Sequence, residues 1–196
     1  MCRVFDWSNL PLGASKMIQH ALKMIMAFAF VAVTWQSASA QTRGAPIFGV
    51  GYTDIGPVIG LGNLGEASVS FGGRFERGIK ALPTLGNGML GIQVGAQYYS
   101  WSSGGYSIRW IPIGVTANYH FKLDEPKIDP FAGLGLGYTS VSCSFSGTGS
   151  CSAYDSEIYL IARAGVRYFF SPSMALYGDV GAGGATLNVG LMFKLK

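Results

Sequence analysis

The chain has 196 residues, of which 12% are charged, 49% are hydrophobic and 29 are glycine. Charge this sparse, about half the roughly 25% of soluble domains, argues against a surface wetted on all sides. The formal net charge of +4 falls to +2 when the first forty residues are set aside, eleven Lys and Arg against nine Asp and Glu; that is too little for an electrostatic nucleic-acid binder, and no basic stripe with interleaved aromatics occurs.

Residues 1–40 read as a cleavable export signal. Lys23 supplies the positive region, Met24–Val33 the short apolar run, and Ala38-Ser39-Ala40 the small-residue cleavage site. Cleavage there leaves Gln41 at the mature N-terminus and 41–196 as one domain. A membrane anchor is the rival reading; it is disfavoured because the apolar run is short and a small-residue site follows it. Met17 is a natural start for such a leader, which makes residues 1–16 a candidate start-site artefact.

Past Gln41–Ala45, eight β-segments follow. The first lies within Pro46–Leu61, Gly-rich and aliphatic, with the weakest alternation and with Asp54 and Pro57 interrupting it. Asn63-Leu-Gly65 makes a turn into Ala67–Gly78, where Val69, Phe71 and Phe75 oppose Ser68, Ser70, Gly72, Arg74 and Glu76. Lys80–Gly88 is a connection. In Met89–Trp101, Leu90, Ile92, Val94, Ala96 and Tyr98 oppose Gly91, Gln93, Gly95 and Gln97. Ser102–Gly105 is a hairpin loop. Tyr106–Phe121 sets Ile111, Ile113, Val115, Ala117, Tyr119 and Phe121 against Gly114, Thr116, Asn118 and His120. After a polar turn at Lys122–Lys127, Ile128–Phe145 sets Ala132, Leu134, Leu136 and Tyr138 against three glycines. Ile158–Phe170, Met174–Val180 and Thr186–Leu195 complete the set, separated by Ser171-Pro172 and Gly181–Ala185.

Every segment alternates with period two, and the apolar phase is the larger one. Downstream of the leader no apolar run is long enough for a spanning helix of about 20 residues. Hydrocarbon supplies no hydrogen-bond partner, so strands cross it only as a closed sheet. The predicted fold is therefore all-β: an eight-stranded antiparallel up-and-down transmembrane barrel, lipid outside and polar side chains within. Tyr98, Tyr99, Trp101, Tyr106 and Trp110 near one rim, and Tyr119, Phe121 and Tyr168-Phe169-Phe170 near the other, read as interfacial girdles.

The chain resembles the small outer-membrane β-barrel proteins of Gram-negative bacteria, OmpA-type and OmpX-type barrels among them. The resemblance spans most of 46–196. It rests on the Ala-Ser-Ala leader site, Asp129-Pro-Phe-Ala-Gly-Leu-Gly-Leu-Gly-Tyr138, Ala164-Gly-Val-Arg-Tyr-Phe-Phe170 before Ser-Pro, and Leu187-Asn-Val-Gly-Leu-Met-Phe193. It implies residence in the bacterial outer membrane, contact with its lipid, insertion by the barrel-assembly machinery, and a monomer. Such barrels end in an aromatic residue; this chain ends Phe193-Lys-Leu-Lys196. With a periplasmic N-terminus, the outward loops fall at about 62–66, 102–105, 145–154 and 181–185, and they are short for the family.

The interior phase collects Arg74, Glu76, Gln93, Gln97, Asn118, His120, Arg163, Arg167 and Asp179. Eight strands enclose a lumen that side chains just fill, so these nine read first as a polar plug, with a narrow path for ions or small solutes as the alternative. Cys143 and Cys151, eight apart in a Ser/Gly-rich stretch of an exported chain, read as a disulfide closing a loop; that loop could serve an interaction protein. Their spacing is not that of a zinc site, and no metal or cofactor is expected. No catalytic constellation is expected: His120 is the only histidine after residue 40, and there is no phosphate loop and no H-E-x-x-H. A soluble secreted barrel with a ligand inside remains the third reading. It would require the apolar phase to face inward.

Overall fold

The computed structural model describes residues 47–146, 151 and 155–195. The leader and its cleavage site lie outside the described residues. Eight strands run β1 Thr53–Leu64, β2 Ala67–Leu82, β3 Gly88–Ser103, β4 Tyr106–His120, β5 Ile128–Phe145, β6 Glu157–Ser171, β7 Met174–Ala182 and β8 Leu187–Lys194. Each pairs antiparallel with its sequence neighbours, and β1 pairs β8 from Asp54↔Lys194 to Leu61↔Leu187 to close the barrel. Closure pairs every strand on both sides along the shared height of the barrel.

The phase of the alternation is as the sequence predicts. Leu134, Leu136, Ile158, Leu160, Val115, Ile113 and Phe71 stand on the exposed outer surface; Leu134 is 71% and Leu160 is 78% exposed. Gln93, Thr116, Asn118, His120, Arg163, Arg167, Asp179 and Asn188 are buried within. A continuous aliphatic and aromatic exterior around a charged interior is the reverse of a water-soluble barrel, and it excludes the lipocalin-like reading.

Local chemistry sets the turns. Gly104 and Gly105 both have positive φ (56° and 84°), which is what a two-residue hairpin between β3 and β4 requires. The β1–β2 connection is less regular than expected. Gly62, Asn63 and Gly65 take positive φ, and the ladder slips between Leu61 and Leu64, so a bulge precedes the turn. The barrel wall is uneven. β3, β4 and β5 have 16, 15 and 18 residues, whereas β7 and β8 have 9 and 8. At about 3.3 Å per residue, the β3–β5 side rises well above the β7–β8 side at the end bearing the β1–β2, β3–β4, β5–β6 and β7–β8 connections. That end is called the loop end below, and the opposite one the turn end.

One expectation is refined and one needs correcting. The first strand starts inside the expected stretch, at Thr53, and runs on to Leu64. Residues 47–52 instead fold inward at the turn end, where Gly51 N donates to Gly78 O (2.8 Å) and Gly78 N donates to Tyr52 O (2.9 Å). Phe48 and Tyr52 are buried, and with Val58, Phe131, Phe169, Ala175, Tyr177 and Met192 they form a compact apolar core inside the lumen. The girdles are also thinner than expected. Tyr99 and Trp110 share the lumen phase with Gln97 and Pro112 and stack on each other (centroids 5.2 Å, 15°), while Phe169 is 1% exposed and meets Tyr52 edge-on.

The outer surface predicts that Leu134→Arg destabilises the bilayer-folded barrel by about 2–4 kcal/mol, the cost of a cation at the membrane midplane. Urea unfolding in lipid vesicles measures it, and a change below about 1 kcal/mol would contradict the lipid-facing placement of Leu134.

Candidate functional site: the charged lumen

All nine residues of the predicted interior cluster lie in the lumen, and one hydrogen-bonded network joins them. Glu76 is its hub at the turn end. It accepts from Asn118 Nδ2 (3.0 Å) and Gln93 Nε2 (3.0 Å), contacts His120 Nε2 (2.8 Å), and forms an ion pair with Arg167 Nη2. Gln93 Oε1 accepts from Arg74 Nη1 (2.8 Å), which also pairs with Asp179 Oδ2 (2.6 Å). Asp179 binds Arg163 as well and accepts from Asn188 Nδ2 (2.8 Å). Asn188 Oδ1 accepts from Gln97 Nε2 (2.7 Å), and Ser70 Oγ donates to Gln97 Oε1 (3.2 Å).

Glycines on the lumen phase give these side chains room. A Cβ on Gly91 would lie 2.4 Å from Glu76 Oε1 and 3.0 Å from His120 Nε2, and one on Gly133 would lie 1.9 Å from Asn118 Oδ1. Those two positions are glycine because the polar cluster occupies the space a methyl would need.

Arg167 carries the tightest demands. It is completely buried. Besides Glu76 it approaches Asp54 (Nη1 to Oδ2, 3.4 Å) and Asp129 (Nη1 to Oδ2, 3.8 Å). Its guanidinium carbon lies over Phe48 (5.0 Å), Phe131 (5.7 Å) and Tyr177 (5.9 Å). Arginine cannot shed its proton in a protein, so its desolvation must be offset by charge and by ring faces together. Among the described residues, the buried side-chain atoms without a hydrogen-bond partner are both oxygens of Asp54 and Nε and Nη1 of Arg167. Asp54 and Arg167 thus attract each other as charges without a shaped hydrogen bond.

His120 Nδ1 lies 2.9 Å from both Asp129 oxygens, and Nε2 lies 2.8 Å from Glu76 Oε1. Both ring nitrogens face acceptors only, which requires a proton on each. Phe48 stacks flat on this imidazolium (3.8 Å, 17°). With His120 charged, Arg74, Arg163, Arg167 and His120 balance Asp54, Glu76, Asp129 and Asp179. Below the strands, burial and the nearby Asp54 carboxylate hold the Tyr52 phenol well above its usual range, so it stays neutral.

Five network members, Ser70 among them, were not singled out for the cluster in the sequence. Asp54 looked like an interruption of a strand, yet it shares the lumen phase with Gly56, Val58 and Gly60. Asp129, Tyr177 and Asn188 share the phases of Phe131, Asp179 and Met192. Strict period-two counting from Asp179 and Met192 would have found Tyr177 and Asn188. Asp129 is the cross-strand partner of Arg167 on the neighbouring β6, whereas the contact of Asp54 with Arg167 depends on barrel closure, which no local pattern encodes.

Cys143, near the loop end of β5, is bonded to Cys151, with their Cα atoms 5.8 Å apart. Among the described residues no cluster of metal-ligating side chains occurs.

No protein-family model and no curated protein sequence matches the chain. Its fold matches solved structures. The attachment invasion locus protein Ail of Yersinia pestis aligns over 75% of this chain and 95% of its own at a TM-score of 0.50 and 14% identity. The outer membrane protein OprG of Pseudomonas aeruginosa aligns over 77% of this chain and 99% of its own at a TM-score of 0.50 and 10% identity. The fold is that of the small outer-membrane β-barrels.

Arg167→Met strands three acids around the hole it leaves. The substitution is expected to cost about 3–5 kcal/mol, the usual result of removing one partner of a buried charge cluster. Arg109→Met, on the exposed surface of β4, should change stability by about 0.5 kcal/mol or less. Urea midpoints of the refolded proteins compare the two, and equal effects would refute the central role of Arg167.

Proposed function

We propose that the chain is a non-enzymatic, monomeric barrel of the bacterial outer membrane with a structural or surface role, its lumen plugged rather than open. Residues 1–40 direct export, the barrel-assembly machinery inserts residues 41–196, and the termini lie on the periplasmic side. The observation that carries this reading is the cross-lumen contact set of Arg167. Its partners come from β1, β2 and β5, so it bridges opposite walls, and Phe48 caps it from the turn end.

An open pore would need that set to come apart. Removing Arg167 from Glu76 leaves Arg167 with only its longer contacts to Asp54 and Asp129 in a body wrapped in hydrocarbon, a cost of several kcal/mol. Short connections at the loop end offer little area for a partner, although the disulfide-closed loop and the tall β3–β5 side are where contact would occur.

In planar bilayers the purified protein is expected to give no stepwise conductance, and in cells it should fractionate with the outer membrane and migrate differently on gels when unheated. Reproducible single-channel steps from the wild-type protein would replace the plug with the narrow-channel reading. Recovery in the soluble periplasmic fraction would refute membrane residence.

A further inference from the structure

Above the network, toward the loop end, lies a cavity of about 50 Å³. Arg74, Gln97, Thr116, Tyr159, Arg163 and Asn188 are among its lining residues, and it sits between the tall strands and the low β7–β8 turn. Its charge is unbalanced. Arg74 and Arg163, with side chains 10% and 5% exposed, share a single carboxylate, Asp179, which is itself fully buried. Among the described residues neither guanidinium has a second acid partner. Asp54 balances the total count, but it lies at the opposite end of the network beside Arg167, with Glu76 and Gln93 between it and this cavity.

Asp179 cannot satisfy both forks. Its Oδ1 receives Arg163 and Asn188, and its Oδ2 receives Arg74 and Tyr177. Each guanidinium carries five N–H donors in a plane. The hydrogen bonds of Arg74 all leave from Nη1, and those of Arg163 from Nε and Nη2. Arg74 Nη2 and Arg163 Nη1 therefore remain as donors on two cations that border one cavity. The volume holds a few waters at about 10–15 Å³ each, or one small polyatomic anion.

We propose that this loop-end cavity is a binding site for a small free oxyanion, an inorganic sulfate or phosphate or a one- or two-carbon carboxylate. Each of these anions presents at least two oxygens to a guanidinium fork, and the ion neutralises the surplus positive charge of the Arg74–Asp179–Arg163 group. A lipid phosphate is excluded by the closed wall. The site is a blind cup above the plug, so it does not depend on passage through the barrel.

The test uses the full mature chain refolded in a zwitterionic detergent free of phosphate. Sodium sulfate is titrated against sodium gluconate at matched ionic strength, because gluconate is too large for the cavity. Arginine Nε–H resonances and the thermal midpoint are recorded. Saturable shifts confined to Arg74 and Arg163, with a raised midpoint in sulfate, are expected. Arg163→Gln should weaken the response about tenfold or more, and Arg109→Gln should leave it unchanged. Gln97→Glu covers the case in which Arg163→Gln does not fold: a fixed carboxylate beside the cavity should abolish the sulfate response while the barrel remains folded. A linear, non-saturating response, or one that Arg163→Gln or Gln97→Glu leaves intact, overturns the site.

Discussion

One buried guanidinium sets the terms for the interior. Arg167 sits in a lumen walled by eight strands and surrounded by an apolar exterior, and it must stay charged. Three carboxylates and three aromatic rings meet that requirement from five different parts of the chain. Much else follows from it. Glu76 must be ionised and oriented, so Asn118, Gln93 and His120 hold it. His120 must bridge two acids, so it carries two protons and a flat aromatic lid. Gly91 must lack a side chain because Glu76 and His120 fill its space.

The lumen is graded along its axis. At the turn end it is apolar, with Phe48, Tyr52, Phe131 and Phe169 packed as in a soluble core. Around Arg167 it is ionic, with both oxygens of Asp54 and two nitrogens of Arg167 held by charge alone. Toward the loop end it opens into a cavity of about 50 Å³ bordered by Arg74 and Arg163, which share one carboxylate. A uniform polar filling would have left Arg167 open to water from both ends and weakened each of its ion pairs. The apolar layer excludes water on one side, which strengthens the pairs beside it and raises the cost of separating them.

The wall was legible in the sequence, and the lumen only in part. Period two is a local property, so Leu90 to Tyr98 and Ile111 to Phe121 disclosed their outward face from neighbouring residues alone. The nine polar residues of the cluster followed from the same count, and every one of them lies inside. Asp54 did not follow. Its partner is 113 positions away in number, on β6, and the two meet only because β1 closes on β8. The seating of residues 47–52 was illegible for a different reason. Ile47, Phe48, Val50 and Tyr52 have the composition of a strand, and β-propensity reports fitness for a half-buried pleated surface. Nothing local distinguishes that from a segment tucked inside a barrel.

The inward fold of residues 47–52 also bears on order of assembly. Phe48 contacts His120 on β4 and Arg167 on β6, and Tyr52 contacts Phe169 on β6. Those partners surround a common space only after the intervening strands have paired. The seat of the segment is thus made by several strands together rather than by any one of them. Its burial removes two large rings from water and closes the turn end over a charge cluster that the wall alone would leave open at that end. A barrel wall made of hydrogen bonds and an aromatic segment packed on its interior charge cluster are separable parts, and the second takes its ring contacts from strands that the first brings together.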